Sequence, residues 1–311
     1  MNVYTSRRNE KAAQYLVELG KQHPRIVAVN ADMQDYNTGR FFVRNFPERA
    51  YDVGIAEQNL VSMSAGLAHT GLMPFVFAMT PFLTMRAAEQ VRTDVVYGKL
   101  PVRLFGIGAG YGGGISGATH CALEDVALFT SFPGMTVVEV TDDEQLIKVM
   151  DQCVSWEGPM YIRIGNIIGE DAVYDHSGFQ LGKATVVSGG DDGAFIVSGI
   201  VVGYAMEAAK RIKEETGADI RVVDVHTLKP VDKEAIVSAA ETGRVVVAQD
   251  HNIMGGLGYI AAAVLQEAGV ACKYKMLGCP DQYVPLATTP FLYKINEYDT
   301  DGLVKNMKAF L

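Results

Sequence analysis

Residues 136–165 read TVVEVTDDEQLIKVMDQCVSWEGPMYIRIG. Two apolar runs, TVVEV and MYIRIG, flank a stretch of helical period, DEQLIKVMDQCVSW. Near-continuously apolar strands separated by helices belong to a parallel sheet, because each crossover lays a helix on one face and both faces end up buried. The alternation extends toward the N-terminus. IVAVN (26–30), PFVFAM (74–79) and VRLFGIG (102–108) read as strands, whereas AEQNLVSMSAGLAHTG, RAAEQVRTDVVYGKL and ALEDVALFTSF read as helices. Residues 166–182 are dotted with glycine, lack a clear period and read as a linker. The pattern then resumes: AFIVSG, RVVDVHTL and RVVVAQD as strands, VGYAMEAAKRIKEETG, DKEAIVSAAETG and GYIAAAVLQEAG as helices. The predicted fold class is α/β, with two doubly wound α/β domains. The first, residues 1–165, has a parallel sheet, and the second, residues 183–311, is smaller.

Bulk properties agree with two domains in 311 residues. Apolar residues make up 49% and charged residues 20%, ample for a globular core. A net charge of −9 opposes broad attraction to nucleic acid or to an anionic membrane, so an anionic substrate must be held by a few local cations. The four cysteines, Cys121, Cys153, Cys272 and Cys279, show no CxxC spacing, which points to a reducing cytoplasm. The start of the chain lacks a signal-peptide apolar core, and no run of about 18 apolar residues could span a bilayer.

Glu57, in YDVGIAEQNL (51–60), falls where a strand gives way to a helix. A carboxylate in a first helical turn gains about 0.3–1 kcal/mol from the macrodipole, which by itself would account for it. The stretch GIGAGYGGGISG (106–117) contains a G-x-G-x-x-G at Gly108, Gly110 and Gly113. The helix expected after it begins only near Ala122 and no suitably spaced acidic strand end follows, so a ligand-facing loop fits better than a dinucleotide fingerprint. His120 follows that loop at the predicted start of a helix, a position for ligand contact or for a hydrogen-bonded structural histidine. Arg163 lies inside the apolar strand PMYIRIGN and must meet an anion, either a protein carboxylate or a substrate phosphate. The histidines have no metal-ligand spacing, and no nucleophile elbow or Cys–His pair is present.

Taken in order, GIAEQNLVSMSAGLA, PFVFAMTPFLTMRAAEQVR, KLPVRLFGIGAG, SGATHCALEDVALF, GPMYIRIGN, VDVHTLKPVD and HNIMGGLG resemble the transketolase family, and within it the separate C-terminal subunit of split transketolases. The resemblance implies a thiamine diphosphate pyrimidine-binding fold for residues 1–165 and a transketolase C-terminal domain for residues 183–311. The family's diphosphate-binding module carries a GDG followed further on by an asparagine that hold Mg²⁺, and no GDG occurs here. A partner subunit, in an α₂β₂ assembly, is therefore expected to supply the diphosphate and Mg²⁺ contacts. The Met start leads to the expectation that this partner is a separate gene product.

The resemblance also implies roles for particular residues. Glu57 matches the glutamate that hydrogen-bonds the cofactor's aminopyrimidine ring nitrogen, and with His120 it forms the catalytic set. Phe82 matches the phenylalanine beside that ring, with Ile55 and Met85 as further cofactor contacts. His120 would also bind donor oxygens. Arg163 would contact substrate phosphate, with Arg7 or Arg8 as a second phosphate cation. Ser116 stands where relatives place an acidic residue that reads a sugar hydroxyl, a family histidine is replaced near Gly108, and Cys121 replaces a glutamine. The activity implied is transfer of a two-carbon ketol unit from a ketose, phosphorylated in the simplest case, to an aldose. The rivals are a 2-oxo acid dehydrogenase β-type subunit and a non-catalytic scaffold.

Overall fold

The computed structural model describes residues 9–33, 37–165 and 171–311. Arg7, Arg8 and part of the predicted linker lie outside them. The strands are β1 (Ile26–Asn30), β2 (Ala50–Asp52), β3 (Met73–Met79), β4 (Arg103–Ile107), β5 (Thr136–Val140), β6 (Met160–Ile164), β7 (Thr185–Ser188), β8 (Gly193–Val197), β9 (Ile220–Asp224), β10 (Thr227–Lys229), β11 (Arg244–Asn252) and β12 (Lys273–Cys279). The helices are α1 (Glu10–Gln22), α2 (Arg40–Asn45), α3 (Glu57–His69), α4 (Ala88–Gln90), α5 (Asp125–Thr130), α6 (Asp143–Cys153), α7 (Val201–Thr216), α8 (Lys233–Ala240), α9 (Leu257–Ala268), α10 (Thr289–Ile295) and α11 (Thr300–Lys308). None of the described helices is long and apolar enough to cross a membrane.

The first sheet has the order β10-β5-β6-β4-β3-β1-β2. Its strands β1 to β6 are parallel throughout. Every residue of β1, β5 and β6 is buried, as expected for strands covered on both faces. On one face Leu16 and Leu19 of α1 and Leu146 and Met150 of α6 pack on Phe75, Phe77, Phe105 and Ile162. Each such apolar side chain contributes about 1.5–3 kcal/mol by leaving water. The other face meets α3 and α5, and its apolar cluster continues into α8 and α9 of the C-terminal half.

The second sheet has the order β12-β11-β8-β9-β7, with β7 antiparallel to β9 and the rest parallel. Helices start where an aspartate can cap them: Asp142, Asp232 and Asp299 accept from the N–H groups of Gln145, Ala235 and Gly302 at 2.9, 3.2 and 2.9 Å. Gly217 ends α7 and Gly269 ends α9 in the left-handed conformation.

Three elements depart from the sequence expectation. RVVDVHTL is not one strand: β9 stays in the second sheet, whereas β10 crosses to pair antiparallel with β5. The switch is fixed by the carbonyl of His226, which accepts from the Glu139 N–H at 2.8 Å. The predicted helix over 122–132 shrinks to the six residues of α5, and His120 sits in a separate 3₁₀ turn, Ala118–His120. The segment 86–100 alternates between α-helical and wider π-helical turns.

Candidate active site

Strands β2, β1, β3 and β4 are neighbours and run the same way, so the chain leaves their carboxyl ends on one side of the sheet, where α/β proteins bind ligands. After β2 the Gly54 N–H donates to Asp52 Oδ1 at 2.7 Å, and Gly54 adopts a left-handed φ of 69°. That turn delivers the chain to α3, whose first residue is Glu57. The helix end accounts for a carboxylate here but not for its burial, since only 3% of the Glu57 side chain is exposed.

A buried charge needs a partner. Arg86 supplies it, donating from Nη1 to Glu57 Oε2 at 2.6 Å from a side chain that is 43% exposed. Arg86 ends the π-helical turn Phe82–Arg86 that follows β3, a wide turn of the kind frequent at functional sites. Its guanidinium carbon also lies 4.6 Å from the centroid of the Phe82 ring, within cation–π range. Phe82 meets the His120 ring edge-on, with centroids 5.4 Å apart. Thr119 Oγ1 stands 2.9 Å from His120 Nδ1. Glu57, Arg86, Phe82 and His120 thus form one continuous row contributed by three successive strand ends. Beside it Ile55 and Met85 hold apolar side chains in the open, at 72% and 55% exposure.

The row joins a nearly buried carboxylate, an aromatic face and exposed apolar side chains. That combination suits a flat nitrogen heterocycle, whose edge hydrogen-bonds the carboxylate while its face stacks. Among the described residues no group of three or more His, Cys, Asp or Glu could hold a metal ion.

Arg163 requires a correction. It is fully buried, with 0% of its side chain exposed. Nε donates to Asp125 Oδ2 at 2.7 Å, Nη1 pairs with Glu139 Oε1, and Nη2 donates to the carbonyls of Ala122 and Asp250 at 3.1 and 2.8 Å. Burial alone would raise the Asp125 carboxyl, but the guanidinium, His251 and the hydrogen bonds bring it below its ordinary range. Arg163 itself is held well above its usual value by the two carboxylates, against the cost of burial. A substrate phosphate has no route to it, so the salt-bridge alternative is the one realised.

The remaining predicted residues divide. Ser116 is exposed on the glycine-rich loop, which places it near the row without a fixed contact to it. Gly108 has φ of 72°, a conformation that side chains rarely adopt, which accounts for the missing histidine. Cys121 is buried, and burial pushes its thiol up to about 12, so it is not a nucleophile. Arg86 was absent from the sequence expectation. Its only signal was a cation four residues after Phe82.

Comparison with known proteins accords with this geometry. The model of the transketolase pyrimidine-binding domain matches residues 9–167, and that of the transketolase C-terminal domain matches residues 182–298. One of the two apulose-4-phosphate transketolase subunits of Phocaeicola vulgatus is 36% identical over 299 residues, covering 95% of both chains. The 6-deoxy-6-sulfo-D-fructose transketolase subunit SqwH of a Clostridium species is 36% identical over 278 residues, covering 89% of this chain and 86% of the relative. A solved structure described as a split-gene transketolase in an inactive beta4 tetramer superposes with a TM-score of 0.86 at 34% identity, over 97% of each chain. The transketolase of Leishmania mexicana shares the fold at 19% identity and a TM-score of 0.82, with this chain spanning 45% of it. The chain belongs to the transketolase family, and its two α/β halves are that family's pyrimidine-binding and C-terminal domains.

Proposed function

We propose that this chain is the catalytic pyrimidine-binding subunit of a two-subunit transketolase. It moves a two-carbon ketol unit from a ketose carrying an anionic group, phosphate foremost, to an aldose. A partner subunit supplies the diphosphate and Mg²⁺ contacts in an α₂β₂ assembly, and the complex works in the cytoplasm. The observation that carries this is the buried Glu57 at a strand's carboxyl end, in one row with Phe82 and His120. Full-length similarity to two separate transketolase subunits supports the division of labour, as does the relative whose beta4 tetramer is inactive.

Thiamine diphosphate, when bound, supplies the carbon nucleophile and electron sink that this transfer requires. The chain's own residues prepare it. Glu57 holds a proton against the pyrimidine ring nitrogen, and its near-complete burial keeps competing water away. Phe82 offers a ring face for stacking, flanked by Ile55 and Met85. Arg86 must leave Glu57 for that contact to form, which its half-exposed side chain permits. His120, held edge-on by Phe82, is placed to hydrogen-bond donor oxygens. Arg7 or Arg8 remains the candidate cation of this chain for the substrate's anion, now that Arg163 is committed elsewhere.

A tagged pull-down from the native host, with mass spectrometry of stoichiometric partners, tests the assignment. The expected partner is a second transketolase subunit containing GDG and the later asparagine, and the pair should transfer ketol units only with thiamine diphosphate and Mg²⁺. Recovery of the chain alone, or with an unrelated protein, would overturn the shared active site.

A further inference from the structure

Tyr111 opens the glycine-rich loop that leads to His120, and all of its polar atoms are taken by the C-terminal half. Its N–H points at the Asp250 carboxylate, 3.1 Å from each oxygen. Its carbonyl accepts from Thr289 Oγ1 at 2.9 Å, and its hydroxyl accepts from Asn296 Nδ2 at 2.8 Å. Asp250 is itself buried and accepts from the hydroxyls of Tyr293 and Tyr298 at 2.8 and 3.0 Å. The Tyr298 ring lies nearly parallel to that of Tyr111, 6.1 Å away.

The base of the loop is closed by Gly110 and Ala122, which exchange backbone hydrogen bonds of 2.9 and 3.1 Å. Arg163 ties this base to β11 by donating to the carbonyls of both Ala122 and Asp250. Gly110, at φ of 63°, passes so close that a Cβ there would overlap the Asp250 carboxylate.

We propose that Asp250 is a positioning residue for the reaction: through Tyr111 it sets the loop that carries His120, so the C-terminal domain acts as the template of the substrate-facing side of the site. This rests on the transketolase assignment above. A loop with seven glycines between 106 and 117 has many conformations to lose and little of its own to hold it. A group that must meet substrate atoms requires placement to about 0.5 Å, which needs rigid support from outside the loop. A well-packed apolar residue would fill the same space without burying a charge. What the carboxylate adds is direction, since a charged acceptor orients the Tyr111 N–H and two phenols at once. Burial pushes Asp250 up to about 6 even with Arg163 and these donors opposing it, so it is ionised at neutral pH.

Tyr293→Phe and Tyr298→Phe, singly and together, each remove one hydroxyl while keeping the ring, and Asp250→Asn removes the charge. Hydrogen–deuterium exchange on the full chain should show amides of residues 111–121 exchanging about tenfold faster in the double variant, with β3 and β4 unchanged. In the reconstituted two-subunit enzyme, with hydroxypyruvate as donor, Tyr298→Phe should raise KM about fivefold with a smaller change in kcat. It should have no further effect in a His120→Gln background, because both changes act through one group. Unchanged exchange in the loop, or losses that simply multiply with His120→Gln, would overturn the proposal. The exchange measurement needs no partner or activity, so it still tests the tether on the loop if the transketolase assignment fails.

Discussion

Arg86 donates to Glu57 at 2.6 Å while its guanidinium carbon stands 4.6 Å from the Phe82 ring centroid. One half-exposed cation thereby spans both the carboxylate and the aromatic face that a heterocycle would use. Arg86→Met should leave the Glu57 charge buried without its partner, costing about 1 kcal/mol once the exposure of the arginine is allowed for. The Glu57→Gln change should cancel most of that loss. Chemical denaturation of the four proteins of this double-mutant cycle measures the coupling, and additive effects would show the pair to be idle.

Glu57→Gln keeps an oxygen for Arg86 but cannot exchange a proton. In the reconstituted complex it should lower kcat by at least about 10²-fold. Partner binding and melting temperature should stay near those of the parent chain. An active Glu57→Gln enzyme would remove Glu57 from the chemistry.

Arg163→Met leaves Asp125 and Glu139 buried without their cation. Breaking a buried ion-pair network of this kind costs about 3–5 kcal/mol, so the melting temperature should fall by roughly 10 °C. Any surviving enzyme should discriminate between phosphorylated and unphosphorylated donors as the parent does. A selective rise in KM for the phosphorylated donor, without loss of stability, would restore Arg163 to the substrate site.

Asp224 is buried where Oδ2 accepts from Tyr174, Gln145 and Thr141 at 2.7, 2.8 and 3.3 Å. Burial pushes it up to about 6, and these donors only partly oppose the shift. Because the folded value lies above the unfolded one of about 3.9, the cost of its charge is fully present above pH 6 and is relieved as the pH falls toward 4. The neighbouring His176–Asp142 pair and the buried His226 titrate in parent and variant alike. Asp224→Asn retains one acceptor oxygen, so it should stabilise the chain by about 1–2 kcal/mol at pH 7.5 and have little effect at pH 4.5. Urea denaturation at the two pH values decides, and equal destabilisation at both would contradict the burial account.

Much of the fold is legible because its signals are short-ranged. TVVEV and MYIRIG coincide with β5 and β6, since five successive apolar or β-branched residues suit a strand covered on both faces. Helices α6, α7 and α9 follow their apolar period, and the latter two stop at glycines that take the left-handed conformation. Strands β2, β7 and β12 were not legible. The first is three residues long, and the other two alternate in burial at the margins of the sheets. The same limit applies to β10, whose three residues carry no mark of the sheet they join.

The site divides along the same line. Sequence alone determined that Glu57 starts a helix at a strand's carboxyl end and that Phe82 and His120 follow two further strands. Those positions depend on local period and turn chemistry. Tertiary structure alone decided that the three side chains form one row, that Arg86 closes it, and that Asp250 reaches the His120 loop from the other domain. It also decided the fate of Arg163. A cation in an apolar strand announces that an anion is near, but whether that anion is a ligand or Asp125 and Glu139 depends on residues 38 and 24 positions away in the chain. Ion pairing is set by distance in space, and only the packing of the two sheets brings those residues together.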